Sequence, residues 1–224
     1  MQNLESFFDQ KFNGVTLQPP LFYSWDIAIR FDILNPLLTN KDSNDLEHAF
    51  QRSITLYDEV FRDEDELLVI ADVRTTEDHL FLEEPLKVYR SYIKQQDVLA
   101  KLRHELIPDA CNEEGEQMVV HRFTLGCSKK DIRYEIILRE ICYKDFGEVM
   151  IQLEQKPQSG IEFYFINLTR GIIYHLYDEP GCDILALKKE EIQFLYERYN
   201  DWIREEDCNQ IDSVFADVES IRSK

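Results

Sequence analysis

The chain has 224 residues, of which 44% are hydrophobic and 12% aromatic, so it can bury a substantial core without disulfides or metals. Its 44 acidic and 25 basic residues give a net charge of −19, shared almost equally between the two halves of the sequence. Because phosphate binding needs clustered Lys and Arg, this charge argues against a nucleic-acid partner and permits a basic protein partner.

Targeting signals and cysteine usage both predict a cytoplasmic protein. Acidic Glu5 and Asp9 interrupt the first apolar segment, unlike the basic start and unbroken apolar run of a signal peptide. No stretch approaches the roughly 18 apolar residues of a membrane span, so we expect no membrane partner. The cysteines are odd in number and widely spaced, which predicts reduced, mostly buried and inert thiols: Cys111, Cys127, Cys142, Cys182 and Cys208.

Periodic patterns in the first third of the chain predict two helices separated by a strand. An amphipathic helix is expected at residues 4–12, and alternating apolar and polar residues at 27–33 predict a half-buried strand. A capping pair of Asn44 and Glu47 begins a second helix, and the acidic run 63–66 is expected to be its solvated end. The apolar face of this helix repeats every three to four residues: Leu46, Phe50, Ile54, Tyr57 and Phe61.

The middle of the chain predicts two strands and two further helices. Residues 67–73 form a continuous apolar run, typical of a strand buried on both faces. Pro85 suits the first turn of a helix whose pattern allows continuation to Leu106. Residues 118–125 predict a strand after a loop. Residues 131–143 fit both periods, and we favour a helix because Ile137 breaks the alternation.

The last third predicts a β-hairpin followed by a third strand and two helices. Aromatic and β-branched residues at 161–168 and 172–177 flank a short turn, and a second turn leads to a strand at 182–187. Helices are expected at residues 188–203 and around 211–218. We expect the hairpin to pack against the first of these helices and to bury a shared set of side chains: Phe163, Phe165, Leu195 and Tyr199.

These elements mix strands and helices without strict βαβ alternation, which predicts an α+β fold. Its centre is a largely antiparallel sheet with the C-terminal hairpin, packed with several amphipathic helices. We expect a single compact domain over residues 1–224. Two fused subdomains, at about 1–110 and 111–224, are the alternative.

Several blocks in a fixed order resemble an uncharacterised bacterial family, domain of unknown function 3885. The blocks are LFYSWDIAIRF, DEVFRDEDELLVI, ICYKDFG, FYFINLTRGIIYHLYDEPGCDILA and LYERYNDWI, and they extend over residues 21–203. The family pattern after the hairpin is Tyr-Asp-Asp-Arg-Gly-x-Asp, and this chain keeps four of its positions: Tyr177, Asp178, Gly181 and Asp183. Glu179 and Pro180 replace the family's second Asp and its Arg, so any chemistry of that Arg is lost here. The resemblance implies no activity.

Catalytic motifs are informative by their absence from the sequence. Residues 145–147 spell the kinase metal-binding tripeptide DFG, but the phosphate loop, strand lysine and H-R-D that must accompany it are missing. There is no G-x-S-x-G, Walker loop, G-x-G-x-x-G or H-E-x-x-H, so we expect no cofactor and lean against an enzyme. The histidines stand without a second ligand at a recognised spacing and are expected to be structural or surface residues: His48, His79, His104, His121 and His175.

One polar cluster remains as a candidate binding site, at the turn that ends the hairpin. It comprises His175, Tyr177, Asp178 and Asp183, and alternation places the first two on one face of their strand. The functional interpretation is a polar or metal-binding pocket. The structural interpretation is that Asp178 is a turn residue and Asp183 pairs with a nearby Arg or Lys.

Three classes of function are compatible with the sequence. The first, which the even acidity and missing motifs favour, is a non-enzymatic protein-binding module, immunity- or antitoxin-like, that recognises a basic partner. The second is a small metal-dependent hydrolase or transferase that uses carboxylates near Asp178 and Asp183. The third is a regulatory domain that binds a small ligand.

Overall fold

The predicted α+β class is confirmed by a seven-stranded, fully antiparallel sheet packed with helices. A computed structural model describes residues 7–8, 11–12, 15–34, 43–76, 89–108, 118–143, 160–177 and 181–216. The strands are β1 (Ala28–Asp32), β2 (Glu66–Thr76), β3 (Arg103–Pro108), β4 (Met118–Ser128), β5 (Gly160–Asn167), β6 (Ile172–Tyr177) and β7 (Gly181–Ala186). The helices are α1 (Ser43–Val60), α2 (Gln96–Leu99), α3 (Tyr134–Tyr143), α4 (Gln193–Arg198) and α5 (Cys208–Phe215).

Strands from both halves of the chain are interleaved in this sheet. The spatial order is β1-β7-β6-β5-β2-β4-β3, so the predicted hairpin β5–β6 and its third strand β7 lie between β1 and β2. All neighbouring pairs are antiparallel. The one-domain interpretation stays a prediction, and this interleaving is its structural basis.

The two faces of the sheet are covered by different parts of the chain. On one face α1 and α3 pack over β5 and β6, where the ring of Tyr57 lies 5.1 Å from Phe165 and 5.4 Å from Tyr174. On the other face the segment that precedes β1 crosses the strands, and the Tyr164 hydroxyl donates to the Leu17 carbonyl at 3.4 Å. Successive side chains of a strand point to opposite faces, so the central strands are buried on both faces of the sheet.

Several predicted elements are confirmed with small shifts of their ends. The strand at 27–33 is β1, the run 67–73 lies within β2, and the ambiguous segment 131–143 is helical as α3. The hairpin turn closes with Gly171 at φ 67°, a conformation that glycine adopts without strain. Phe163, Phe165 and Leu195 are buried as expected, whereas Tyr199 is half-buried.

Two helical predictions are wrong. Residues 103–108 form the edge strand β3, because pairing with β4 overrides the local helical period that reaches Leu106. The helix expected at 188–203 is broken into two 3₁₀ turns and the short α4. Its backbone leaves helical geometry at Ile192 (φ −130°, ψ 1°) and at Tyr199 (φ −118°, ψ 29°).

Two burial predictions are also wrong. Strand β1 is covered on both faces, because Arg30 points inwards and is only 5% exposed. In the supposedly solvated run 63–66, Asp65 is buried. Its carboxylate accepts hydrogen bonds from the Arg62 backbone at 2.9 Å and from Asn167 Nδ2 at 2.6 Å.

The cysteines that the structure describes are free thiols in largely buried positions. Burial raises the pKa of Cys127 and Cys142 to about 12, and it also raises the pKa of Cys182 and Cys208. These thiols stay protonated at neutral pH, which fits the predicted inert role. Cys111 lies outside the described residues.

Other predictions fall wholly or partly outside the described residues. Of the helix at 4–12, the structure describes Phe7, Phe8, Lys11 and Phe12 alone. The helix start at Pro85, the loop that includes residues 111–117, and Val218 are not described. In the part of the chain that is described, no helix is both long and apolar enough to cross a membrane.

Truncation of Phe165 tests the core beneath the helices. Phe165→Ala should lower the free energy of unfolding by about 3–5 kcal/mol, because the fully buried ring would leave a cavity between α1 and the sheet. Leu106→Ala, at a side chain that is 57% exposed, is the matched control and should change stability by less than about 0.5 kcal/mol. Equal stability of Phe165→Ala and the wild type in chemical denaturation would remove Phe165 from the core.

Candidate functional site

The register of β1, β7 and β6 brings three of the four predicted site residues together. His175 on β6 lies directly opposite Asp183 on β7, which in turn lies opposite Arg30 on β1. Opposed residues of antiparallel strands share a face, and Tyr177 follows on that face with its ring 5.4 Å from that of His175. Asp178 lies outside the described residues.

Asp183 is a fully buried carboxylate with both oxygens engaged. Arg30 donates from Nε to Oδ1 at 2.9 Å and from Nη2 to Oδ2 at 3.4 Å. The backbone N–H of Phe22 donates to Oδ2 at 3.0 Å, and the Tyr177 hydroxyl donates to Oδ1 at 3.3 Å. The negative charge is therefore matched by a bidentate guanidinium and two further donors, as a buried charge requires.

Arg30 carries this network from the sheet towards the surface. Its Nη1 lies 3.6 Å from Asp207 Oδ2 and 3.3 Å from the Tyr23 hydroxyl, which donates to Asp207 Oδ1 at 3.2 Å. The guanidinium carbon also lies 4.8 Å from the centre of the Tyr23 ring. Burial alone would lower the pKa of Arg30, but its hydrogen bond to Asp183 and the nearby carboxylates raise it above its ordinary value.

His175 is fully buried between two aromatic rings. The Tyr164 ring stacks on it at 4.5 Å, and its Nε2 lies 3.1 Å from Glu162 Oε2, so this nitrogen is the one that carries a proton. Its Nδ1 is buried without a hydrogen-bond partner. Burial and the charge of Asp183 raise the pKa of the neighbouring Tyr177, whose hydroxyl therefore remains a donor.

An acidic surface adjoins the buried network where Tyr23 is 61% exposed. Burial raises the pKa of Asp32 above its ordinary value, and the charges of Glu206 and Asp207 add to this effect against the opposing charge of Arg204. We call this surface the acidic rim, and it comprises Tyr23, Asp32, Glu205 and Glu206, next to the buried Asp207.

The sequence prediction missed Arg30, Tyr23 and Asp207. Arg30 alternates with apolar neighbours and was therefore expected on a solvated strand face. Asp207 lies 177 positions further along the chain, and no local pattern connects two residues at that separation. Tyr23 and Arg30 both lie in the block LFYSWDIAIRF, and this block is the sequence signal that could have identified them.

The geometry favours a structural role for the inner residues of this cluster. Neither oxygen of Asp183 is free for a metal or a proton transfer, because Arg30 and the Phe22 backbone N–H hold them. Among the residues that the structure describes, no group of three or more His, Cys, Asp or Glu side chains is arranged to hold a metal ion. The exposed groups next to this cluster are Tyr23, Glu205 and Glu206 of the acidic rim.

The fold and this network define an α+β protein whose antiparallel sheet carries a buried Arg–Asp pair on one face. The chain belongs to the family described as Domain of unknown function (DUF3885), which it matches over residues 4–207. It is similar to "Uncharacterized protein YnaE" of Bacillus subtilis (strain 168), with 24% identity over 218 residues that cover 92% of this chain and 99% of the relative. No solved structure matches the chain.

Removal of one partner of the buried pair tests its contribution. Arg30→Met should lower the free energy of unfolding by about 3–5 kcal/mol, because Asp183 would be left charged and uncompensated in the interior. Arg139→Met is the control, since its pair with Glu47 is nearly half exposed and should contribute no more than about 1 kcal/mol. Denaturant titration of both variants gives the comparison, and equal small losses would contradict the role of the Arg30 pair.

The raised pKa of Asp32 predicts a pH-dependent gain in stability for Asp32→Asn. A carboxyl whose pKa is higher in the folded than in the unfolded state favours folding when protonated, and this contribution is lost as pH rises through the folded pKa. Asp32→Asn should therefore melt at a higher temperature than the wild type at neutral pH, with the difference shrinking in acid. A variant that melts lower at neutral pH would show that the ionised form is stabilising.

Proposed function

We propose that this chain is a non-enzymatic protein-binding module, immunity- or antitoxin-like, that recognises a basic protein partner on its acidic rim. The observation that carries the proposal is the net charge of −19, combined with the way the chain uses its own cations. Among the described residues, many basic side chains already pair with carboxylates of the same chain: Arg30, Arg122, Lys129, Arg139, Arg170, Arg198 and Arg204.

This internal pairing leaves the excess negative charge on the surface. Exposed carboxylates are spread over several elements, for example Asp63, Glu64, Glu190, Asp201 and Glu205. A field of one sign accelerates the approach of a partner of opposite sign and repels nucleic acid and like-charged proteins. Screening limits its range to a Debye length of about 8 Å at physiological salt, so association should slow as salt rises.

The acidic rim combines this charge with an aromatic anchor. Tyrosine is enriched among the residues that dominate binding energy at protein interfaces, and Tyr23 is an exposed residue. Its hydroxyl is fixed by Asp207, so little rotamer entropy remains to be lost on binding. A Lys or Arg of the partner would also relieve the repulsion between Asp32 and Glu206.

A second candidate function, a regulatory domain that binds a small ligand, is favoured by a cavity at one end of β2 and β4. The cavity has a volume of about 540 Å³, within the range of ligand sites. Leu68, Gly126 and Cys127 are part of its lining, and Lys101 supplies a cation. A thermal-shift screen of metals and small metabolites separates the two functions, because a ligand that binds the folded state raises its melting temperature. The hydrolase alternative gains nothing from Asp183, whose oxygens are occupied.

Charge reversal at the rim tests the proposal against a matched reversal elsewhere. Glu206→Lys should weaken low-salt capture of a basic protein from extracts of the native host, and Tyr23→Ala should weaken it further at every salt concentration. Glu64→Lys makes the same change in net charge at a site far from the rim. Its neighbour Asp65 contacts Asn167, which lies at one end of the strands, whereas Asp32 lies at the other end. Glu64→Lys should reduce capture much less.

Two outcomes would contradict this function. Recovery of no basic protein at either low or high salt would count against a basic partner. Equal loss with Glu64→Lys and Glu206→Lys would show that the overall field, and not the rim, is responsible. Asp183→Ala and His175→Ala complete the set: they should lower the melting temperature, while affinity lost without loss of stability would assign binding to the inner cluster.

A further inference from the structure

The cavity at one end of β2 and β4 lies where the edge strand β3 has ended. Strand β3 begins at Arg103, opposite Thr124, whereas β4 continues to Ser128. The last residues of β4 therefore have β2 on one side and no β3 residue on the other. The cavity, of about 540 Å³, lies at this position, because both Gly126 of β4 and Lys101 of the turn after α2 belong to its lining. The interrupted edge of the sheet thus forms a cavity of ligand size.

The register directs the backbone groups of Gly126 into this cavity. In an antiparallel sheet the N–H and C=O of one residue point to the same neighbouring strand, and successive residues alternate between the two neighbours. The Leu168 backbone N–H donates to the Glu66 carbonyl at 2.8 Å, so Glu66 faces β5 and the next residue, Leu67, faces β4. Its partner Cys127 then faces β2, and Gly126 faces the side on which β3 has ended. One strand donor and one strand acceptor are thus directed at the cavity.

Gly126 also leaves room on one face of the sheet. Leu68 lies directly opposite Gly126, and opposed residues of antiparallel strands share a face. Because Gly126 has no side chain, the space beside Leu68 on this face stays open, and Leu68 and Leu168 supply part of its apolar lining. A residue placed beside β4, opposite Gly126, would therefore direct its own side chain into an apolar space.

Two opposite charges line the same cavity without meeting. Lys101 and Glu66 are exposed, and neither charged group has an ion pair or side-chain hydrogen bond in the part of the chain that the structure describes. The backbone N–H of each is held, that of Lys101 in the turn after α2 at 3.0 Å and that of Glu66 by the Thr169 hydroxyl at 2.9 Å. Asp131, the other carboxylate of the lining, is buried and already accepts a backbone hydrogen bond at 2.9 Å.

We propose that this cavity binds a free amino acid with an apolar side chain, which takes the place of the missing β3 residue opposite Gly126. Its carboxylate accepts hydrogen bonds from the Gly126 N–H and the Lys101 ammonium, and its ammonium donates to the Gly126 carbonyl and the Glu66 carboxylate. Its side chain contacts Leu68. This inference rests on the second candidate function, the binding of a small ligand, and is independent of the basic protein partner.

Calorimetric titration of the protein with L-leucine and with L-phenylalanine tests the site at neutral pH. At least one of them should bind with one equivalent. Its N-acetyl derivative, which lacks the ammonium, and its amide, which lacks the carboxylate, should each bind at least about tenfold more weakly. Lys101→Met should weaken binding of the amino acid by a similar factor without further effect on the amide, and Glu66→Gln should do the same with the N-acetyl derivative.

Lys188→Met removes an exposed lysine that does not line the cavity, and it should leave the affinity unchanged. Binding of neither amino acid would overturn the inference, as would derivatives that bind as tightly as the amino acid. Equal losses with Lys101→Met and Lys188→Met would also overturn it. If a thermal-shift screen finds another ligand while neither amino acid binds, the small-ligand function stands and this ligand class is wrong.

Discussion

The buried pair of Arg30 and Asp183 is the interaction on which the arrangement of this sheet edge depends. Two ions removed from water each cost several kcal/mol, and only near-ideal geometry with further hydrogen bonds offsets that cost. The structure meets this demand with donors from three places: the β1 guanidinium, the Phe22 backbone and the Tyr177 hydroxyl. The pair therefore fixes the segment before β1, the strand β1 itself and the strand β7 relative to one another.

The same pair specifies register. A slip of one residue between β1 and β7 would turn Arg30 towards the helix-covered face and bring Ile29 or Phe31 against the carboxylate. Each alternative leaves a buried charge without a partner, which is more costly than the loss of an apolar contact. Polar groups in this interior thus select one arrangement, while the apolar contacts supply most of the driving force.

Elements with strong local periods could be predicted from the sequence, and elements set by distant contacts could not. The hairpin, α1 and β2 follow from aromatic and β-branched content, helical spacing and a continuous apolar run, each within a single segment. Strand β3 exists because it pairs with β4, and its own residues show no alternation that would mark a strand. The interruption of the helix at Ile192 likewise has no local marker such as Gly or Pro.

Part of the candidate site could be predicted from local sequence patterns in the same way. Alternation correctly placed His175 and Tyr177 on one face, and a turn could return Asp183 beside them. The partner that decides the character of the cluster, Arg30, is 153 residues away in sequence. A local pattern can therefore propose a polar cluster, but it cannot distinguish a free carboxylate from one that is already neutralised.

The buried network also determines how Tyr23 is presented at the surface. Because Arg30 contacts Asp183 on one side and Asp207 and Tyr23 on the other, the orientation of the exposed ring is set from inside the protein. An anchor held in this way loses less entropy on association than a free side chain would. The same network keeps Asp207 occupied, so Asp32 and Glu206 are left to provide the charge that a cationic partner would meet. Under the proposed function, the inner residues would therefore act as positioning residues that do not contact the partner.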